Sequence, residues 1–426
     1  MNPMAPALAV ANAVLYEGYI LFPYTASAKK NRVRWQFGVV VPEAYTAQGT
    51  GEPAHAMTEV LLEVGDAAYV TVTVRFLQVE ARWAQAYTGS DFETVASLET
   101  GGTRYVTFDE GVEREMTLHL QAATPFAAAP IAFADEERIQ LLRDGDGTLR
   151  GRVLRRRCAL HGSVTVETEE VPQQPTVRKV RVRIANQSAV VPGERSSALR
   201  TSFVSTHTLL YAQGGTFLSL LDPPQPFAAE TASLRNQHTW PVLVGDQGDD
   251  AQRSPLVLSS PIILYDFPSI AAQSEGDTFD ATEIDELMML SVRSLSDAER
   301  EEARATDPRA RAIVERAERF GAGELAELHG VLDIPAMDCV FVAGTKVSKG
   351  SVVRLHPKRR ADVWDAFLEN KLATVRAIHQ DVENQMYVAV TVDDDPASDL
   401  HEWYGRSLFF YPDEVEPVTA VAERAP

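Results

Sequence analysis

Alternation of apolar and polar residues with a period of two is the sequence feature that most constrains this fold. Across residues 68–80, Val70, Val72, Val74 and Phe76 share one side of an extended strand, while threonines and an arginine share the other. A period of two is typical of a β-strand with one buried face. Similar runs recur at short spacing through the first half of the chain, which predicts an antiparallel β-sandwich or an open barrel.

Further strands are predicted from runs of aromatic and β-branched residues. Segments 163–171 and 176–185 carry opposite charges, so we expect them to form a hairpin with charged pairs across it. Between residues 144 and 147 the sequence Asp-Gly-Asp-Gly favours a turn, because the positions that follow lack the ligands of a calcium loop. The remaining predicted strands are 14–24, 33–42, 57–64, 104–108, 114–121 and 262–265.

The clearest helical signals lie between residues 282 and 329. Ser296 followed by Glu299 is a capping-box pattern, in which each side chain bonds the other residue's backbone amide. Asp307 followed by Pro308 predicts a second helix start, since proline is favoured at the first helical position. In the last part of the chain, residues 340–417, one predicted helix among short predicted strands is an arrangement that resembles an SH3-like barrel.

These patterns divide the 426-residue chain into five predicted segments. A chain of this length exceeds a single ordinary core, and the predicted class is α+β, mainly β. The segments are a disordered lead-in at 1–13, a β-rich body at 14–270 with a subdivision expected near 125–150, an acidic helical segment at 271–335, a small β-barrel-like domain at 336–417 and a tail at 418–426.

Charge and composition exclude several classes of protein. The formal net charge of −20 argues against general nucleic-acid binding, which needs a positive surface, and favours partners with a positive patch. No run approaches the length of apolar sequence that a membrane span needs. The N-terminus lacks the basic start of a signal peptide, so a cytoplasmic location is expected. Cys158 and Cys339 are too few for a disulfide framework.

No motif for a nucleophile, a phosphate loop, a dinucleotide site or a clustered metal site occurs in the sequence, which favours a non-catalytic protein without a cofactor. An enzyme with a dispersed site stays open as an alternative. It would be a metal-assisted hydrolase that uses His207 with Asp266, Asp280 and Glu283, because imidazole and carboxylate groups are metal ligands. A buried histidine and acidic helix caps are the simpler explanation of these four residues.

A basic segment stands out in this acidic chain and is the predicted partner-binding site. Lys29, Lys30, Arg32 and Arg34 precede Trp35. Charged residues beside an exposed aromatic ring can anchor a protein partner. The alternative is a solvated loop whose next strand buries Trp35.

Several segments, taken together, carry a family resemblance. They are YEGYILFPYTASAKKNRVRWQFG (16–38), THTLL (206–210), LSSPIILYDFP (258–268), residues 279–318 beginning FDATEIDELMM, and VTVDDDPASDL (390–400) with FFYPDEVEP (409–417). As a set they resemble an uncharacterised bacterial family whose genes neighbour those of nickel–iron hydrogenases. The resemblance spans nearly the whole chain and implies an accessory or assembly role, without implying any particular site residue.

Three functional hypotheses follow. The first is a non-catalytic accessory, assembly or scaffolding protein that acts through protein–protein contacts in nickel–iron hydrogenase maturation, with a hydrogenase subunit or a maturation protein as its partner. Since clustered histidines and cysteines are lacking in the sequence, scaffolding is favoured over metal delivery. The second is the metal-assisted hydrolase, and the third is a structural subunit of a larger complex whose acidic surface faces a basic partner.

Overall fold

The chain folds into two compact units, Met1–Arg319 and Phe320–Pro426. A computed structural model describes residues 4–32, 35–172, 174–189, 194–248, 250–270, 276, 278–279, 285–320, 339–342, 344–358, 368–380, 386–393 and 408–418. Within these ranges, no helix is both long enough and apolar enough to cross a membrane.

The first unit is built on one strand of 33 residues, β1 (His55–Tyr87), which contains two of the predicted strands. The register of its pairing shifts between Val64 and Tyr69. The other strands are β2 (Phe92–Val95), β3 (Ser97–Thr100), β4 (Thr103–Val106), β5 (Glu110–Gln121), β6 (Phe126–Phe133), β7 (Glu136–Arg143), β8 (Leu149–Arg157), β9 (Leu160–Val171), β10 (Gln174–Asn186), β11 (Val204–Leu218), β12 (Trp240–Leu243), β13 (Arg253–Ser254) and β14 (Leu256–Ser260).

Twelve of these strands form one curled antiparallel sheet, whose principal order is β12-β14-β11-β1-β10-β9-β6. The strands β5, β8 and β2 pair with the later part of β1, and β7 pairs with β8. The separate hairpin is β3–β4. Strands on both sides of residues 125–150 therefore belong to the same sheet.

The sheet curls around a core that one face of β1 supplies. The alternating residues Val70, Val72, Val74 and Phe76 are each at most 1% exposed, and they pack with apolar side chains of β9, β10 and β11. Burying one such side chain contributes about 1.5–3 kcal/mol. The alternation in the sequence therefore determines which face of the sheet turns inward.

Helices cover parts of this sheet. The predicted capping box is confirmed, because the Ser296 hydroxyl accepts from the Glu299 amide at 3.3 Å and Glu299 Oε2 accepts from the Ser296 amide at 2.9 Å. The helix predicted at Pro308 is confirmed as well. The helices are α1 (Ala5–Tyr16), α2 (Lys29–Arg32), α3 (Glu43–Thr46), α4 (Arg195–Leu199), α5 (Ala228–Ser233), α6 (Asp285–Arg293), α7 (Asp297–Thr306) and α8 (Pro308–Arg319), with a 3₁₀ turn at Gln225–Phe227.

The second unit contains a five-stranded antiparallel sheet around its own apolar core. Its strands are β17 (Val352–Leu355), β18 (Leu372–Gln380), β19 (Met386–Val392), β20 (Leu408–Phe410) and β21 (Val415–Pro417), and the hairpin β15 (Val340–Val342) with β16 (Thr345–Val347) precedes them. The order is β20-β19-β18-β17-β21. Four strands thus follow one another as a meander, and the last strand returns beside the first after a 3₁₀ turn at Pro412–Glu414, as in an SH3-like barrel.

The predicted class, α+β and mainly β, is confirmed, and the body is an open curled sheet. The predicted hairpin is confirmed as β9–β10, where the Lys179 ammonium lies 2.8 Å from Glu169 and Arg181 lies 2.5 Å from Glu167. The predicted turn joins β7 to β8, and the Gly147 amide donates to the Asp144 carbonyl at 2.9 Å.

The disordered lead-in predicted at 1–13 and the strand predicted at 14–24 are wrong, because residues 5–16 form α1 and residues 17–24 form turns and loop. Alanine has the highest helix propensity of all residues, so the alanine-rich start favours a helix. Small side chains also let this helix lie close to the sheet. Ala7 and Ala11 are fully buried against apolar residues of β11, β12 and β14.

The strands predicted at 33–42 and 262–265 are wrong too. In the first segment, Val40 makes only an isolated bridge with Phe203. Before the second, β14 ends at Ser260, because Pro261 has no amide hydrogen to continue the ladder. Ile263 is consequently 77% exposed.

The segment boundaries in the second half of the chain differ from the predicted ones. Helices α6, α7 and α8, which were expected to form a separate acidic segment at 271–335, belong to the first unit. The predicted boundary near residue 335 lies outside the residues that the structure describes.

Candidate interaction surface

In the predicted basic partner site, the lysines are exposed and the tryptophan is buried. Lys29 and Lys30 are exposed on α2. The next residue, Asn31, is only 5% exposed. Its side-chain nitrogen donates to the carbonyls of Leu21 and Thr25, each at 2.9 Å. The side chain of Arg32 and the whole of Arg34 lie outside the described residues.

Trp35 is not the exposed anchor that the partner-site hypothesis requires. It is 5% exposed, and its ring centroid lies 6.4 Å from that of Tyr19. Its backbone has φ 61°, and its carbonyl accepts from Arg195 at 3.0 Å. Trp35 therefore packs inside the first unit, in keeping with the alternative in which this tryptophan is buried.

The residues of the metal-site hypothesis are not brought together where they are described. His207 lies near the start of β11, while Asp266 accepts from the Ser219 hydroxyl, one residue beyond the end of β11. The other oxygen of Asp266 accepts from the Leu243 amide at 2.8 Å, and Leu243 lies two strands away from Leu210 of β11, so Asp266 is bonded at a different place in the sheet from His207. Asp280 and Glu283 lie outside the described residues.

His207 itself is fully buried beside a cation. Its Nδ1 donates to the Ser205 carbonyl at 3.0 Å, and Arg75 is its cross-strand partner on β1. Burial, and less strongly Arg75, lowers the pKa of His207 to about 4. The ring is thus neutral at pH 7, and the neighbouring guanidinium disfavours a metal ion at this place.

Across the described ranges, no group of three or more histidine, cysteine, aspartate or glutamate side chains is arranged to hold a metal ion. The two cysteines are each partly buried and not joined. Burial raises the pKa of Cys158, which lowers the reactivity of its thiol at neutral pH.

Beneath α7 and α8, buried and partly buried charged and hydroxyl groups join helices to sheet, and we call this set the docking cluster. Arg82, whose side chain is 8% exposed, pairs with Glu110. It also donates to the carbonyl of Val106 at 3.0 Å and to that of Thr306 at 2.5 Å. Thr306 ends α7, where the helix dipole favours a cation. The cluster consists of Tyr16, Tyr19, Arg82, Glu110, Glu113, Thr306, Asp307 and Arg309.

Tyr19 supplies the second connection in the docking cluster. Its hydroxyl donates to Asp307 Oδ2 at 2.8 Å and accepts from the Gly111 amide at 3.0 Å. Asp307 Oδ1 accepts from the Arg309 amide at 2.7 Å, so the same carboxylate caps the start of α8. One phenol therefore holds a sheet strand and a helix start in a fixed relation.

Two groups of the docking cluster have shifted pKa values. Burial, followed by the hydrogen bond to Glu113 at 2.6 Å, raises the pKa of Tyr16 far above its ordinary range. Burial also raises the pKa of Glu110, although Arg82 opposes the shift. Shifts of this kind can mark catalytic sites. Here the partners are backbone groups and neighbouring side chains under packed helices, which is the arrangement of a structural joint.

The second unit presents aromatic rings on the outer side of its sheet, and we call His379, Tyr387, Phe409 and Tyr411 the aromatic face. Tyr387 and Tyr411 have ring centroids 4.9 Å apart, and His379 and Phe409 have theirs 5.9 Å apart. Phe409 is 59% exposed, whereas its neighbour Phe410 is 5% exposed and faces the core. Period-two alternation along β20 therefore turns one ring inward and one outward.

The aromatic face lies at an edge of the sheet and next to acidic groups. Among the described residues, β20 pairs only with β19. Asp413, in the turn that follows Tyr411, is half exposed and 3.5 Å from Lys358. Paired rings at a strand edge can bind an extended peptide by stacking. The sequence carried a signal for this face in the adjacent aromatics of FFY at 409–411.

Comparison with known proteins adds no assignment. No protein-family model matches the chain, and no curated protein matches it.

Proposed function

We propose that the protein is a non-catalytic accessory or assembly protein that binds a partner protein through the aromatic face, and that nickel–iron hydrogenase maturation is its setting. The single observation that carries the proposal is the exposure of Phe409 beside three further, partly exposed rings at an edge of the described sheet. Monomeric proteins rarely leave grouped apolar side chains exposed unless they serve a contact.

The chemistry of the aromatic face defines the kind of partner. Aromatic-lined grooves bind extended, proline-containing segments, because such segments are already ordered before they bind. The net charge of −20 favours a segment that also carries lysine or arginine. We therefore expect an extended, basic, proline-containing segment of a hydrogenase subunit or of a maturation protein.

The test compares two exposed apolar residues of the second unit. Phe409→Ser removes the most exposed ring of the aromatic face. Leu372→Ser, at a residue that is 37% exposed on β18, is the matched control. Tagged full-length chains are cross-linked in host cells, purified and analysed by quantitative mass spectrometry.

We expect a hydrogenase subunit or maturation protein with the wild type and the control, and at least about tenfold less with Phe409→Ser, which corresponds to about 1.4 kcal/mol of binding free energy. Equal recovery with all three chains would show that the aromatic face is not the contact. Recovery of partners unrelated to hydrogenase would keep the contact and reject its setting.

A further inference from the structure

The strand β7 has an open edge in the first unit. It pairs only with β8 among the described strands, and seven of its eight residues are exposed. Three of its even-numbered side chains contact the rest of the unit: Glu136 pairs with Arg157, Arg138 lies 2.7 Å from the buried Glu80, and Leu142 is 3% exposed. Its odd-numbered residues form the exposed side, where Ile139 is 50% and Leu141 is 53% exposed.

The exposed side of β7 continues an apolar row across the sheet. Ile139 is opposite Leu154 on β8, and Leu154 is opposite Trp83 on β1. Both Leu154 and Trp83 are only partly buried. The row therefore runs over three neighbouring strands and stops at the open edge.

Proline protects the two ends of the principal strand path from further pairing, and β7 has no such protection. The principal strand path ends at β6, which contains Pro130, and at β12, which contains Pro241. Proline has no amide hydrogen and protects an edge from added strands. β7 contains neither proline nor lysine, the two residues most used for this protection. Its edge is therefore suited to accept another strand.

The sequence of β7 complements itself. In an antiparallel sheet, residues that lie opposite each other point to the same face. A twofold axis perpendicular to the sheet keeps every side chain on its own face. When two identical strands pair about such an axis, one residue must therefore lie opposite its own copy, and we call that residue the centre. Only odd-numbered residues then meet odd-numbered ones, and the possible centres near the middle of β7 are Ile139, Gln140 and Leu141.

Charge and apolarity select one of these centres. A centre on Ile139 places Glu137 opposite Leu141, and a centre on Leu141 places Ile139 opposite Arg143. A centre on Gln140 places Glu137 opposite Arg143 and Ile139 opposite Leu141, and the twofold axis makes each match twice. Opposite charges and apolar pairs stabilise cross-strand contacts, so this register alone is matched at every position of the exposed side.

We propose that two copies of this chain pair through β7 as antiparallel strands, with Gln140 on the twofold axis. The pairing joins the two curled sheets into one and covers Ile139 and Leu141 of both copies. The contact is isologous, so it closes at two copies and does not continue into a filament. It involves only the first unit and is independent of the aromatic face.

A charge exchange tests the proposal. Glu137→Arg places arginine opposite Arg143, and Arg143→Glu places glutamate opposite Glu137. The double variant restores both matches, and a mixture of the two single variants also matches, because each partner supplies the charge that the other needs. Glu170→Arg on β9, where the side chain is 79% exposed, makes the same charge change away from β7.

Sedimentation equilibrium of the full chain gives the outcome. We expect a dimer for the wild type and the control, a dissociation constant raised at least about tenfold for either single variant, and dimers again for the double variant and for the mixed single variants. A monomeric wild type at a few hundred micromolar, or single variants that dimerise as the wild type does, would overturn the proposal. Thermal unfolding of each variant verifies that the strand remains folded.

Discussion

Two regions of the molecule reverse the usual placement of polar and apolar groups, in opposite directions. In the docking cluster of the first unit, Arg82 and Asp307 are buried and Glu110 is partly buried, each with partners at hydrogen-bonding distance. On the aromatic face of the second unit, Phe409 is exposed at a sheet edge. A buried charge that is fully paired serves the fold, since it is costly when unpaired. An exposed ring contributes little to the fold and is available for a contact.

The largest expected effect comes from breaking the ion pair in the docking cluster. Arg82→Met leaves the partly buried Glu110 carboxylate with Arg155 alone, at 3.6 Å, and leaves the Thr306 and Val106 carbonyls without their donor, which should cost about 2–4 kcal/mol of unfolding free energy. Denaturant unfolding at pH 7 measures this loss.

The matched double variant sharpens the same comparison. Arg82→Met with Glu110→Gln removes the uncompensated charge, so we expect it to be more stable than Arg82→Met alone. A single variant as stable as the wild type would contradict the view that this pair joins α7 to the sheet.

His207 gives the next largest effect, through pH. The folded protein keeps His207 neutral down to a pKa of about 4, whereas the unfolded chain takes up a proton near pH 6.5. The unfolded state thus binds more protons between these values, so unfolding free energy falls as the pH falls from 6.5 to 4, by about 3 kcal/mol from this residue. His207→Gln should flatten that part of the curve; an unchanged slope would show that the ring is accessible to protons.

Tyr19→Phe removes the hydroxyl that joins Gly111 to Asp307. An amide and a carboxylate oxygen lose a partner in a buried place, which should cost about 1–3 kcal/mol. Tyr69→Phe, at an exposed residue of β1, is the control and should change stability little. Hydrogen exchange of the α8 amides tests the mechanism, because the variant should speed exchange there more than in β10.

The smallest effects are expected at the exposed apolar side chains. Ile139→Ser, measured at concentrations where the chain is a monomer, and Phe409→Ser should each change the unfolding free energy by no more than about 0.5 kcal/mol. Thermal unfolding is a sufficient measurement. A loss of several kcal/mol at either residue would show that the side chain supports the fold, and the contrast between the two regions would fail.

Local patterns predicted the parts of the fold that depend on neighbours in sequence. The alternation at 68–80 identified the inward face of β1, and Ser296 with Glu299 identified the start of α7. Both signals act within a few residues, so a single sequence displays them.

Long-range contacts decided the parts that were missed. The aromatic run around Tyr16 and Tyr19 has the composition of a strand, but its phenols bond Glu113 and Asp307, which are far away in sequence. The placement of Trp35 also depends on a contact that is distant in sequence, because Arg195 donates to its carbonyl. The aromatic face assembles from β18, β19 and β20, so only the FFY triplet could be seen before the strands were paired.

The most direct test of the central claim is the recovery of the partner by full-length chains from host cells, with Phe409→Ser compared with Arg82→Met at equal amounts of folded protein. The account predicts that Phe409→Ser loses the partner while keeping its stability, and that the folded fraction of Arg82→Met retains the partner. Retention by Phe409→Ser together with loss by Arg82→Met would contradict it, because the contact would then depend on the buried cluster rather than on the exposed rings.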